Sequence, residues 1–286
     1  MKQSTIQLLR FPFSYFLMPV FFFALSLVQE INWINAVVSF LIIHLFLYPS
    51  SNGYNSYMDR DTESIGGIKK PMQPTKELFY TTVLMDVLGI ILSLFIDWWF
   101  AAALIMYIVC SRLYSYRRIR LKRFPIIGYL TVILNQGALI FVMVYYAAEK
   151  INQPHVSITG LIAASFLIGG FYPITQVYQH KADSKDGVQT ISMLLGKRGT
   201  FIFCGIMYAI AFTLLFLYYQ RENNVSSFLI LQIFFIPVIV YFIQWFINVW
   251  KNEEAANFKN TMRMNIIAST CTNLAFITLI ILHQFA

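Results

Sequence analysis

Charge is scarce in this 286-residue sequence: Asp, Glu, Lys and Arg together make up 12%. A soluble domain carries about 25%, so this chain lacks the charge needed to clothe an aqueous surface. That excludes a soluble globular enzyme. A disordered chain is excluded by the 58% hydrophobic content. Only three cysteines occur, and Cys110, Cys204 and Cys271 all lie in apolar runs without metal-ligand spacing. This excludes a disulfide scaffold and leaves them as packing residues. The segment after Arg10 has no clear small-residue cleavage site, so it reads as a retained first helix. What the sequence has in abundance is apolar length, and mean hydropathy is +0.63. The reading is an integral membrane protein.

A membrane-crossing helix needs about 20 mostly apolar residues. Segmentation by that rule predicts an all-α bundle of nine transmembrane helices: 11–29, 33–57, 77–97, 98–115, 125–148, 156–180, 200–220, 227–250 and 262–285. Lys and Arg sit in short clusters between the runs. With the N-terminus inside, 19 of the 21 fall in inner segments, leaving only Lys150 and Arg221 outside. That asymmetry is the positive-inside pattern. It places the N-terminus and long polar loops on the cytoplasmic side, the C-terminus opposite, and suits a bacterial cytoplasmic membrane. The net charge of +8 is thus explained by orientation, without a nucleic-acid partner.

Eight of the thirteen acids also border the inner loops, although acids contribute little to orientation. Their setting is a repeat offset by 124 residues. Tyr48-Pro49-Ser50-Ser51-Asn52-Gly53-Tyr54-Asn55 runs on to Asp59, and Tyr172-Pro173-Ile174-Thr175-Gln176-Val177-Tyr178-Gln179 runs on to Asp183. On a helix, positions three and four apart share a face. Asn52, Asn55 and Asp59 then form a polar stripe reaching back through Tyr48 to His44, and Gln176, Gln179 and Asp183 form another reaching back to Tyr172. Two such stripes at one depth can converge on a wet cavity. Hard oxygen donors suit Mg²⁺, with Glu63 one turn beyond Asp59 if the helix continues. The basic stretch Arg117 to Arg123 and Lys69-Lys70 lie on the same side and suit a diphosphate. The plain alternative is that these acids and bases pair with each other at the membrane border. The repeated Tyr-Pro pair predicts a bend in both helices before their polar turns. His44 and His180 read as hydrogen-bonded structural groups. Asp86, deep in the third span, suits either a functional carboxylate or a hydrogen-bonded one.

At these residues the sequence resembles the UbiA superfamily of intramembrane prenyltransferases. That family has nine helices and two aspartate-rich motifs, after the second and the sixth. Its first motif, N-D-x-x-D-x-x-x-D, is matched at Asn55 and Asp59, with Ser56 and Glu63 at the other two acidic positions. Lys69-Lys70-Pro71 resembles the family's basic segment just beyond that motif. The second motif, D-x-x-x-D with a Gly-x-x-Thr tail and Leu-Gly, is matched at Asp183, Gly187, Thr190 and Leu195-Gly196, with Gln179 at the first Asp. Tyr114, Lys122 and Arg123 resemble the basic segment after the fourth helix.

The resemblance implies one UbiA-like domain over 1–286, with a cytoplasm-facing polar site and a central apolar cavity. It implies Mg²⁺-dependent transfer of an isoprenyl group from an allylic diphosphate to a small aromatic or lipophilic acceptor. Asp59, Glu63 and Asp183 would hold metal, with Asp59 and Asp183 catalytic. Asn55, Gln179, Lys122, Arg123, Lys69, Lys70 and Tyr114 would bind substrate. Loss of two carboxylates at Ser56 and Gln179 implies weaker metal binding. A terpene cyclase on the same fold, a noncatalytic lipid-binding relative and a transporter are the alternatives.

Overall fold

The computed structural model describes residues 1–151 and 156–285, and among them it contains helices and no strand. Nine helical rods succeed one another among these residues: α1 (Gln3–Ser26), α2 (Trp33–Asp59), α3 (Lys76–Ser93), α4 (Trp98–Ser115), α5 (Pro125–Ala148), α6 (Ile158–Ile174), α7 (Ile191–Arg221), α8 (Val225–Lys251) and α9 (Phe258–Phe285). Seven are long and apolar enough to cross a membrane, against the nine expected. The other two are α3, which carries Lys76, Glu77 and Asp86, and α6, which has only 17 residues. Outward faces are apolar: Ile233 is 65% exposed and Leu229 58%, as lipid-facing positions should be.

Consecutive rods pack side by side, and α9 closes the ring against α1. Tyr15 and Thr270 hydroxyls meet at 2.7 Å, and Gln284 donates to the carbonyl of Gln29 at 3.0 Å. One end of the ring gathers the charged loops: Lys185 pairs with Glu63, Arg198 with Glu253, and the Lys2 amide donates to Glu77. At the other end the Glu149 carboxylate accepts from the amides of Gln29 and Glu30.

Local chemistry sets where the rods stop. Asp97 caps α4 by accepting from the Trp99 amide at 2.9 Å, so two rods are joined by a very short turn. Gly196 bends α7 near its start with φ 69° and ψ 170°, a conformation an L side chain resists. Gly137 lets α5 lie against α6, since a Cβ there would come within 2.6 Å of the Ser165 Cα.

Asp86 has an ion-pair partner. It binds Arg112 of α4, and Ser50 of α2 donates to it at 2.5 Å while accepting from Arg112 at 2.9 Å. The Arg112 guanidinium also lies 4.0 Å from the Tyr54 ring. Three rods are therefore tied together by one half-buried polar knot, outside the cavity walls.

Candidate active site

α2 runs unbroken from Tyr48 to Asp59 and turns four of its polar residues inward, Ser51 among them. Asn52, Asn55 and Asp59 line a cavity of about 220 Å³ at the charged end of the ring, as the stripe predicts. The stripe's upper end departs from expectation. His44 is buried among the rings of Phe21, Phe40 and Tyr48, away from the cavity. His180 is likewise structural, bonding Ser192 at 2.8 Å.

The second expected stripe is not one helix. α6 ends at Ile174, and Thr175 and Gln176 close tight turns onto Tyr172 and Pro173. A separate short helix, His180–Lys185, carries Asp183. Gln176, Gln179 and Asp183 still reach the cavity, because the broken backbone folds back over its mouth. Gly187, at φ 66°, then turns the chain toward Thr190, whose hydroxyl caps α7 at the Met193 amide. The Gly-x-x-Thr letters thus shape the backbone, and Thr190 also lines the cavity.

Arg60 ends α2 in the left-handed region, φ 54°, so Glu63 does not fall one turn further along the same helix. Glu63 is exposed and pairs with Lys185 at 2.6 Å. Asp61 takes the inward position that the continuous helix would have given Glu63, and it lines the cavity with Asp59, Asp183 and Asp186. Sequence spacing ranks Asp61 and Asp186 only as neighbours of the Asp59, Glu63 and Asp183 set, and Asp61 moves inward because one left-handed residue, Arg60, reverses the chain's direction.

The four acids differ in their partners. Asp59 is buried and accepts from Arg120 at 3.1 Å and from Lys122. Asp186 binds Arg120, and Arg120 also donates to its backbone carbonyl at 2.9 Å. Arg120 reaches both acids from a left-handed backbone, φ 50°, a conformation costing about 1 kcal/mol. Asp61 and Asp183 have no ion-pair or hydrogen-bond partner for their carboxylates among the described residues. Burial, and then the neighbouring Asp59, pushes the Asp61 carboxyl up to about 6. Burial pushes Asp183 up to about 7; Lys122 opposes this, and the neighbouring acids add to it. These two carboxylates are short of positive charge.

Lys122 lines the cavity, whereas Arg123, Lys69 and Lys70 do not. Arg123 is exposed and stacks on Phe124 at 4.7 Å; Lys69 and Lys70 are exposed in their loop. Tyr114 lines the wall with its hydroxyl 2.5 Å from that of Tyr172. Asn55 donates to Ser115 at 2.9 Å, and Gln179 to the Ser64 carbonyl at 3.4 Å. Ser56 is buried and is not part of the wall. Arg10, counted from sequence only for orientation, is a buried wall residue that donates to the Asn52 carbonyl at 3.1 Å.

Phe171 belongs to this cavity and to a second, apolar one of about 280 Å³ between α1, α6, α7, α8 and α9. The second is lined by Phe16, Tyr208, Phe212, Phe235 and Phe242 among others. A charged mouth therefore abuts an aromatic chamber inside the ring.

Comparison with solved structures finds this architecture elsewhere. A UbiA homolog from Archaeoglobus fulgidus bound to DMAPP and Mg²⁺ superposes with a TM-score of 0.69 at 20% identity, over 97% of this chain and 99% of that one. The same homolog bound to GPP and Mg²⁺ gives 0.68 at 20% identity over the same shares. The apo structure of a UbiA homolog from Aeropyrum pernix K1 gives 0.71 at 15% identity, over 94% and 98%. Comparison with curated protein sequences gives no match. The model of the UbiA prenyltransferase family matches residues 16–267, which include both polar turns, the basic segment and most of the nine rods. This chain is an integral membrane protein that belongs to the UbiA prenyltransferase family.

Proposed function

We propose that the chain transfers an isoprenyl group from an allylic diphosphate to a small aromatic or lipophilic acceptor. The observation that carries this reading is the pairing of two unpartnered acids, Asp61 and Asp183, with Lys122 at the mouth of an aromatic chamber. The Archaeoglobus fulgidus homolog that holds DMAPP or GPP with Mg²⁺ has the same fold and supports it. We read the whole chain as one domain with this mouth on the cytoplasmic side.

The donor set suits Mg²⁺. Among the described residues no three His, Cys, Asp or Glu side chains converge on one point, so the protein alone does not enclose a metal. Mg²⁺ is commonly bound by one or two carboxylates plus substrate phosphates, which matches Asp61 and Asp183 facing a diphosphate. Asp59 stands beside them, with Asn55 and Gln179 as neutral oxygen donors. The ion would neutralise charge as it builds on the leaving diphosphate.

The side chains do the remainder. Lys122, now shared with Asp59, would turn one of its three donors to the diphosphate oxygens, with Arg10 adding positive charge from α1. The allylic C–O bond breaks with its electron pair leaving on the diphosphate. The carbon cation then lies toward Phe171 and Tyr172, where ring faces stabilise positive charge and exclude water. An electron-rich acceptor attacks that carbon and loses a proton. Arg120 is a positioning residue, since it joins the loop bearing Asp186 to the end of α2.

The test is pyrophosphate release from DMAPP and GPP by purified protein, with and without Mg²⁺, comparing wild type with Asp61→Asn and Asp183→Asn. Mg²⁺-dependent release by wild type, lost in both variants, supports the assignment. Release that needs no added acceptor, with cyclised product, would point to a cyclase on the same scaffold. No release from folded protein across donors of several lengths would overturn the reading.

A further inference from the structure

The aromatic chamber has a breach in its wall. Among the described residues that line it, Ala209 of α7 and Ile239 of α8 are exposed, and all the others are buried or half-buried. α7 and α8 run antiparallel, and each turns one stripe toward the chamber, 205 to 212 on α7 and 235 to 242 on α8, with residues three and four apart on one face. Aromatic rungs join the stripes above and below the exposed pair. Phe212 meets Phe235 edge-on at 4.8 Å, and Tyr208 meets Phe242 at 6.2 Å. Ala209 and Ile239 stand between those rungs, where a single methyl leaves the space that a ring fills on either side. A Cβ on Gly205, one turn away, would meet only the Phe242 ring, at 4.0 Å.

The seam between α1 and α9, which also borders the chamber, is tied by contrast. Tyr15 bonds Thr270, the Ser269 hydroxyl reaches the Phe16 carbonyl at 3.5 Å, and Phe23 stacks on Phe276 at 4.7 Å. The breach opens onto lipid. No charged residue lies between Arg198 and Arg221 on α7, or on α8 before Lys251. Ala209 stands thirteen residues beyond the Gly196 bend and Ile239 twelve before Lys251, about 18–20 Å from the charged end at 1.5 Å per residue. That is well inside a hydrocarbon layer about 30 Å thick.

We propose that this breach is the exit for the donor's isoprenyl tail: its first units lie in the chamber, and the rest of a longer tail passes between Ala209 and Ile239 into the bilayer. The inference rests on the transfer reading above, which holds the diphosphate at the mouth. Phe171 borders both cavities, so mouth and chamber are continuous. The chamber, at about 280 Å³, falls just below the about 300–1,000 Å³ of ordinary ligand pockets, so it holds a short tail only. A tail that leaves meets lipid chains as apolar as leucine, so its further units neither strengthen nor weaken binding. The donor class is therefore a polyprenyl diphosphate of open length, not one limited by the Phe212–Phe235 end of the chamber.

The experiment uses the full chain in lipid nanodiscs with Mg²⁺ and two probes, the S-thiolo analogues of GPP and of geranylgeranyl diphosphate, in which sulfur replaces the ester oxygen and ionisation is suppressed. Thermal stabilisation reads affinity, referred to the analogue's concentration in the membrane. The expected result is that wild type binds the two within about threefold of each other. Ala209→Trp should weaken the geranylgeranyl analogue at least about tenfold more than the geranyl one, since the new ring fills the gap. Ile239→Trp should do the same and serves if the first variant does not fold. Ile266→Trp, equal bulk at a lipid-facing position of α9, should leave the ratio unchanged. Rejection of the longer analogue by wild type, equal loss of both analogues in Ala209→Trp, or no loss of either overturns the proposal. The expected binding pattern without pyrophosphate release from GPP would uphold the exit while the transfer reading fails. Release from GPP with rejection of the longer tail would do the reverse.

Discussion

Replacing Asp86 by alanine removes the acid from the knot that joins α2, α3 and α4, and leaves Arg112 without its counter-ion. Removing one partner of a buried ion pair costs about 3–5 kcal/mol, because the survivor stays desolvated. Here the two side chains keep 13% and 19% of their exposure, so about 2–4 kcal/mol is the working figure. Arg112 already has one buried nitrogen, Nη1, without a partner, so it has little spare bonding to fall back on. Replacing both residues, as Asp86→Leu with Arg112→Met, removes the charge problem and should cost about 1 kcal/mol, mostly from the lost stacking on Tyr54. Equilibrium unfolding in mixed detergent micelles, run as a double-mutant cycle, reads the coupling directly. A coupling below about 0.5 kcal/mol, or a double variant as unstable as Asp86→Ala, would refute the view that the pair acts as one unit.

The acids at the mouth predict a pH signature. Carboxyls raised to about 6 and about 7 contribute stability that is complete below their ordinary 3.8 and lost as pH rises through those two values. Metal-free protein should therefore lose thermal stability from about pH 4 to about pH 7 and change little above that, and millimolar Mg²⁺ should restore more at about pH 8 than at about pH 5.5; an equal Mg²⁺ effect at both would contradict the assignment. Glu63→Gln should lower activity far less than Asp61→Asn, since its pairing with Lys185 is an exposed contact; pyrophosphate release ranks the two, and the reverse order would restore Glu63 to the site. Gly137→Ala should destabilise the bundle by about 1–3 kcal/mol, because the new methyl meets Ser165 backbone rather than a movable side chain. A neutral unfolding result there would mean that α5 and α6 lie further apart.

The helical membrane class was legible because hydropathy acts over whole rods and tolerates local error. The stripe of Asn52, Asn55 and Asp59 was legible for a related reason: it lies on one uninterrupted helix, where spacing alone decides the face. Glu63 and Asp61 exchanged places because a single left-handed Arg60 undoes helical spacing, and Arg is not a residue whose presence announces that conformation. Arg123, Lys69 and Lys70 look equivalent to Lys122 in a charge count, yet only Lys122 lines the cavity with Asp59. Asp86 was ambiguous because its partner lies 26 residues away on the next rod. Asn135 of α5 and Asn265 of α9, which also line the cavity, carried no signal, since isolated Asn residues in apolar helices serve packing and binding alike.

The repeat shows most clearly how identical letters part company. Tyr48-Pro49 and Tyr172-Pro173 share the same problem: proline has no amide to donate, and its ring crowds the carbonyl one turn earlier. In α2 the preceding turn widens into a π-helical segment, Ile42–Leu47, which absorbs the proline, and the helix then continues for twelve residues. Those twelve residues are well seated, because the Ser50 hydroxyl lies 3.0 Å from the Thr82 carbonyl and Gly53 lets Leu9, Leu78 and Thr82 close in. In α6 the matching positions are Ile174 and Val177, which offer no such hydroxyl and no such gap. The Thr175 hydroxyl instead turns back to the Tyr172 carbonyl at 2.7 Å, and the helix ends. One motif copy becomes a rigid rod bearing Asp59, already held by Arg120 and Lys122. The other becomes a folded-over turn bearing Asp183, with its carboxylate still without a partner. Under the proposed reading the anchored acid stands on the scaffold side of the mouth and Asp183, without a carboxylate partner among the described residues, would meet the incoming cation, a division that the symmetry of the letters conceals.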